Sequence, residues 1–148
     1  MIKYVEQSIV FEEIPDRVTL AFSISNCQNR CKGCHSAFLR GDIGNILDKD
    51  IIVNEFNDTI KLCNCVLFLG EGNDIEGLIE LSDFIRNKYG IETAIYSGRD
   101  KVEDKFFEHF DFVKVGSYQA DKGGLNKKTT NQRLFYKGED ITYKFWKR

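Results

Sequence analysis

Long apolar runs are missing from this chain of 148 residues. No stretch approaches the roughly 20 residues that a membrane-spanning helix needs. Residues 1–13 carry charges throughout and lack the apolar core of a secretory signal, so the expected location is cytoplasmic, with no membrane partner. A surplus of positive charge is missing too. Lys and Arg total 21 against 23 Asp and Glu, which leaves no electrostatic footprint for nucleic acid. Proline is nearly absent, Pro15 being the only one, so glycine and Asn/Asp must punctuate the chain. There is no repeat, low-complexity tract or linker, and the length suits one domain over 1–148. A Ser/His/Asp arrangement and a phosphate-binding glycine loop are both lacking, so hydrolase and NTPase chemistry have no support.

What is present alternates between two periods. Residues 2–13 read as extended, an edge strand or hairpin, and Val18 to Ile24 as an apolar, β-branched strand. A helix is expected over about 49–63, because Ile52, Phe56, Ile60 and Cys63 recur at spacings of three and four. Val66 to Leu69 form a short buried strand ending at Gly70-Glu71-Gly72. Asn73 or Asp74 caps the next helix, which stops at Gly90. Thr93 to Tyr96 and Phe112 to Val115 are further strands, ending at Ser97-Gly98 and Gly116-Ser117, with a helix over about 101–109 between them. The basic and aromatic tail, Lys144 to Arg148, reads as a solvated strand end.

Apolar strands alternating with helices predict an α/β fold with a mainly parallel sheet built from right-handed units. Such sheets bind ligands at the carboxyl ends of their strands. This few residues cannot close an eight-stranded barrel, which takes about 250, so an open, partial (βα) barrel is expected.

The first of those strands runs directly into Cys27-Gln28-Asn29-Arg30-Cys31-Lys32-Gly33-Cys34-His35. Thiols stay reduced in the cytoplasm, and five cysteines cannot complete a disulfide framework. Three thiolates at spacings of four and three on one loop suit an iron–sulfur cluster, a soft metal centre. Held by three protein thiolates, a cubane keeps one iron open for substrate. The competing reading is a structural zinc site with a fourth ligand. Paired zinc knuckles would need a second C-x-x-C, which the chain lacks, and His35 adjoins Cys34 too closely to share its tetrahedron. Cys63 and Cys65 remain alternative ligands, although a helix face and a buried strand suit small core hydrophobes better.

The C-x3-C-x2-C spacing after the first parallel strand resembles the radical S-adenosylmethionine superfamily. Gly33-Cys34-His35, Lys114-Val115-Gly116-Ser117-Tyr118 and Thr129-Thr130-Asn131-Gln132-Arg133 resemble one branch of it, the activating proteins of anaerobic ribonucleotide reductases. The similarity runs over roughly residues 15–146. One departure stands out: where the superfamily often has Gly-Gly-Glu-Pro, this chain has Leu69-Gly70-Glu71-Gly72.

The resemblance implies a 4Fe-4S cluster on Cys27, Cys31 and Cys34, with S-adenosyl-L-methionine as the second cofactor. It further implies reductive cleavage to a 5′-deoxyadenosyl radical, which forms a glycyl radical on the partner reductase. An electron donor such as flavodoxin or ferredoxin would feed the cluster. Gly70 and Glu71 would receive the methionine ammonium, Glu71 being otherwise a helix-end charge. Gly33 would allow close approach of the adenine or simply serve a turn. Ser97 would meet a ribose hydroxyl or hold a turn. His35, with Asn29 and Arg30, would orient the carboxylate or adenine or lie in solvent. Asn131, Gln132 and Arg133 would face the partner at the open rim or cap a strand. Activation of another glycyl-radical enzyme and a zinc-stabilised interaction module are the alternative functions.

Overall fold

The apolar runs become strands and the spaced apolar residues become helices. The computed structural model describes residues 1–26 and 41–146. The cysteine triplet, Gly33 and His35 lie outside the described residues. Eight strands are seen: β1 Lys3–Val10, β2 Thr19–Ile24, β3 Asn45–Ile46, β4 Cys65–Leu69, β5 Glu92–Tyr96, β6 Phe112–Val115, β7 Arg133–Tyr136 and β8 Glu139–Asp140. The helices are α1 Lys49–Ile51, α2 Asn57–Lys61, α3 Ile75–Tyr89 and α4 Lys105–His109. They build one α/β sheet in the order β3-β1-β2-β4-β5-β6-β7-β8, with β3 and β8 at opposite edges. The sheet is open.

Its centre, β2, β4, β5 and β6, is parallel, and the flanking strands run antiparallel. The parallel strands follow one another without reversal. Right-handed crossovers in such an order put every helix on one face. The packing agrees: Ile52, Ile60, Leu78, Ile85, Phe106 and Phe110 bury against Phe22, Val66, Phe68, Ile95 and Val113. Phe56 stands edge-on to Phe22, ring centroids 4.9 Å apart, and Phe110 edge-on to Phe68. The opposite face presents Ala21, Cys65, Leu67, Ala94, Phe112 and Leu134. It is covered by Ile14, Ile141, Leu125 and Phe145 rather than by helices α1 to α4.

Several expectations are met and several are adjusted. Asp74 accepts a hydrogen bond from the Gly77 N–H at 3.0 Å and starts α3, which ends on left-handed Gly90. The helical stretch after Lys49 buries Ile52, Phe56 and Ile60 as their spacing predicts, but Ile52–Phe56 is π-helical. Steps of four residues overrun a 3.6-residue turn, and a widened turn keeps the three side chains aligned. The expected helix over 101–109 begins only at Lys105. Upstream, Arg99 O accepts from Gly116 N–H at 2.7 Å and Asp100 from Ser117 N–H at 3.2 Å, which ties that loop to the end of β6. The tail is no strand: Thr142–Trp146 makes a 3-10 turn, anchored where the Trp146 indole donates to Leu125 O at 2.9 Å. Residues 3–10 form a strand as expected, paired with β2 from Tyr4 to Val10 with a register shift between Tyr4 and Glu6, and touching β3 only at Lys3 and Tyr4. Among the described residues, no helix is long and apolar enough to cross a membrane.

Candidate functional site

Because β2, β4, β5 and β6 are parallel, their carboxyl ends line one rim, and backbone bonds lace it. Gly70 N–H donates to Tyr96 O at 3.1 Å and Ser97 N–H to Lys114 O at 2.8 Å. At the end of β2, Asn26 N–H donates to Gly41 O at 3.1 Å. Asn26 and Gly41, the described residues on either side of the cysteine segment, therefore both lie at this rim. Gly70 sits at φ +111° and Gly72 at φ +64°. A Cβ on Gly72 would lie 2.9 Å from Ile24 Cγ2, and its φ is beyond the reach of proline. Proline therefore cannot stand at position 72 in this backbone.

Glu71 and Ser97, singled out separately in the sequence, meet here. The Ser97 hydroxyl donates to the Glu71 carboxylate in a short bond, and in turn accepts the Arg99 N–H at 3.0 Å. Arg99 grips the same carboxylate through Nε at 3.0 Å and Nη2 at 2.8 Å. Its other partner is Glu103, at 3.1 Å. The guanidinium lies 5.3 Å from the centroid of the buried Phe106 ring. Hydrogen bonds to Glu103 and Glu71 raise the Arg99 pKa further, and Arg99 holds the Glu103 carboxyl below its ordinary value. Ser97 is fully buried and the Glu71 side chain is only 14% exposed.

A second polar group gathers where β6 meets β7. Lys114 is buried and donates to Ser97 O at 3.1 Å and Gly116 O at 2.9 Å. Its Nζ lies 5.7 Å from the centroid of the Tyr96 ring, whose phenol burial pushes upward in pKa. β7 starts beside the end of β6, pairing Arg133 with Val115, so the polar run 129–133 does stand at the rim. Within it, Asn131 Nδ2 donates to Ser117 O at 3.0 Å, while its Oδ1 is buried without a partner. Gln132 is buried and reaches Gly116 O at 3.4 Å. Arg133 instead bonds Asp140 at 2.9 Å, its guanidinium 5.7 Å from the centroid of the Trp146 ring.

Compared with protein-family models, curated proteins and solved structures, the chain matches none. The site must be read from its own residues. Cys63 and Cys65 are buried, the core role expected of them, and burial raises both thiols' pKa. That disfavours the thiolate a metal needs. Two rim residues escaped the sequence reading, Arg99 and Glu103. Their signal was position alone, a charged pair four residues apart just beyond the end of β5.

Proposed function

We propose that this chain is a cytoplasmic radical S-adenosylmethionine activase, an oxidoreductase that installs a glycyl radical on an anaerobic ribonucleotide reductase. The observation that carries the reading is the rim. An acidic side chain and a hydroxyl are held side by side at neighbouring strand ends, beside the two ends of the segment that bears three cysteines.

The donor set fits the implied groups. Cys27, Cys31 and Cys34 offer soft thiolates, and three of them leave one iron of a 4Fe-4S cluster open. Glu71 offers a largely buried carboxylate suited to an ammonium group. The cluster, when bound, supplies the electron that cleaves S-adenosyl-L-methionine to methionine and a 5′-deoxyadenosyl radical. The protein's own residues do the rest. Glu71, with Gly70, receives the amino end of the cofactor; Gly33 and His35 would serve its adenine; the wall of β2, β4, β5 and β6 shuts out water from one side.

In this reading the open sheet is a partial (βα) barrel. The order of its parallel strands never reverses, and helices α1 to α4 lie on one face. The open side needs a cover, because an exposed radical is quenched. A large partner fits that need: a reductase whose glycine loop inserts at Asn131 and Gln132 and yields a Cα hydrogen. A flavodoxin or ferredoxin would supply the electron.

The test is anaerobic reconstitution with iron and sulfide, then mixing with reductant, S-adenosylmethionine and the candidate reductase. A brown protein and a glycyl doublet in the electron paramagnetic resonance spectrum are expected. Stoichiometric zinc without colour would replace the enzyme by an interaction module. A doublet on a different glycyl-radical enzyme would change the partner and keep the chemistry.

A further inference from the structure

Arg99 is held more firmly than an exposed arginine needs to be. Its side chain is 37% exposed, and an isolated surface ion pair at that exposure contributes little. Yet its N–H is fixed by Ser97 Oγ, its carbonyl by Gly116 N–H, and its guanidinium by two carboxylates and the face of Phe106. The contacts reach the ends of β4, β5 and β6 at once. An arginine so constrained loses little further entropy in holding its partner, and its planar fork fixes the direction of a carboxylate.

The charges add up to something specific. Glu71 and Glu103 carry two negative charges around one guanidinium, so the triad keeps one negative charge in excess. It walls a cavity of about 310 Å³ whose remaining lining is residues 72–75. Three of the roughly four lone-pair sites on the Glu71 carboxylate are taken by Ser97 and Arg99. One acceptor position and one net negative charge remain. That is the complement of a monocation with N–H donors.

We infer that Arg99 is a positioning residue: with Glu103 it aims the remaining lone pair of Glu71 at the ammonium of the amino-acid end of the cofactor. Arg99 does not itself touch the cofactor. Glu103 keeps the triad negative, so the guanidinium beside Glu71 does not repel the incoming cation. The inference rests on Glu71 being the ammonium acceptor, as proposed above.

The experiment is titration calorimetry on the reconstituted protein with two ligands. S-adenosylmethionine has the ammonium, and 5′-methylthioadenosine has the adenosine but no amino-acid end. Arg99→Ala should weaken S-adenosylmethionine about tenfold, the scale of a misdirected hydrogen bond to a charged group, and leave methylthioadenosine unchanged. Arg99→Lys keeps the charge but not the fork and should fall between. Glu103→Gln should weaken S-adenosylmethionine only. Equal weakening of both ligands would make Arg99 a structural residue and overturn the inference. So would tighter binding of S-adenosylmethionine by Arg99→Ala, which would make Arg99 a competitor for Glu71, and so would unchanged binding of both. If Glu71→Gln leaves the preference for S-adenosylmethionine intact in the otherwise unaltered protein, the ammonium reading itself fails, and the inference with it.

Discussion

Gly116 closes the rim from the β6 side, and replacing it by alanine tests the arrangement with a single methyl group. Two costs are separable. Its φ of +106° is strained for any residue with a Cβ, a penalty of about 1–2 kcal/mol. The new Cβ would also stand 2.9 Å from Gln132 Cα and 3.2 Å from Asn131 O. Both are backbone atoms that cannot rotate away, and overpacking of this kind costs about 1–3 kcal/mol more. Gly90 supplies the comparison, since it has φ +65° but nothing within 4 Å of its ideal Cβ. Urea unfolding followed by circular dichroism should show Gly116→Ala losing about 2–5 kcal/mol and Gly90→Ala only about 1–2 kcal/mol. The slope with urea should not change, because neither variant alters the surface exposed on unfolding. Equal losses would mean that the chain entering β7 gives way freely at Asn131 and Gln132. The close approach of the two strand ends would then not be a fixed feature of the rim.

Alanine at Cys27, Cys31 or Cys34 should abolish the visible cluster absorbance and the cleavage of S-adenosylmethionine, whereas Cys63→Ala and Cys65→Ala should keep both and cost about 1 kcal/mol or so in urea unfolding. Cluster loss in either of the latter would overturn the ligand assignment. Arg133→Ala should lower the glycyl-radical yield while leaving uncoupled cleavage intact; loss of both would put Arg133 with the cofactor, and loss of neither would leave it to Asp140 and Trp146. Burial alone would raise the Glu92 carboxyl, but hydrogen bonds from Tyr136 and Arg17 outweigh it and leave the pKa below its usual value. Its stabilising contribution is therefore complete above the ordinary glutamate pKa and fades as pH drops through the lowered one. Thermal unfolding in that acid window should be less pH-dependent in Glu92→Gln, and identical pH profiles would refute the assignment.

Local signals were legible in the sequence and long-range ones were not. The helix after Asp74 was readable because its cap and its left-handed Gly90 stop lie within the segment itself. The start of α4 was not. Whether 101–104 coil into a helix depends on Gly116 and Ser117 capturing Arg99 and Asp100 across the sheet. The same divide runs through the site. Glu71 and Ser97 could each be picked out as polar residues ending apolar strands. Their bond depends on the parallel register that sets Leu69 beside Tyr96, which no local pattern encodes. Arg99 was missed for that reason. Arg133 opens β7, and its bond to Asp140 depends on the cross-strand register with β8, which no local pattern encodes either.

The two edges of the sheet bear on how the protein behaves in concentrated solution. β8 is two residues long and acidic, Glu139–Asp140, so it offers little template to another chain. β1 is eight residues long, and β3 shields only Lys3 and Tyr4 of it. Beyond them the strand's outer side runs to Val10, next to exposed Ile9 and Phe11. Among the described residues no other strand pairs with the rest of that edge, and an edge of such length favours edge-to-edge pairing at high concentration. A lysine in place of Ser8, midway along the open stretch, would act as a gatekeeper and keep the protein in solution during crystallisation or anaerobic concentration.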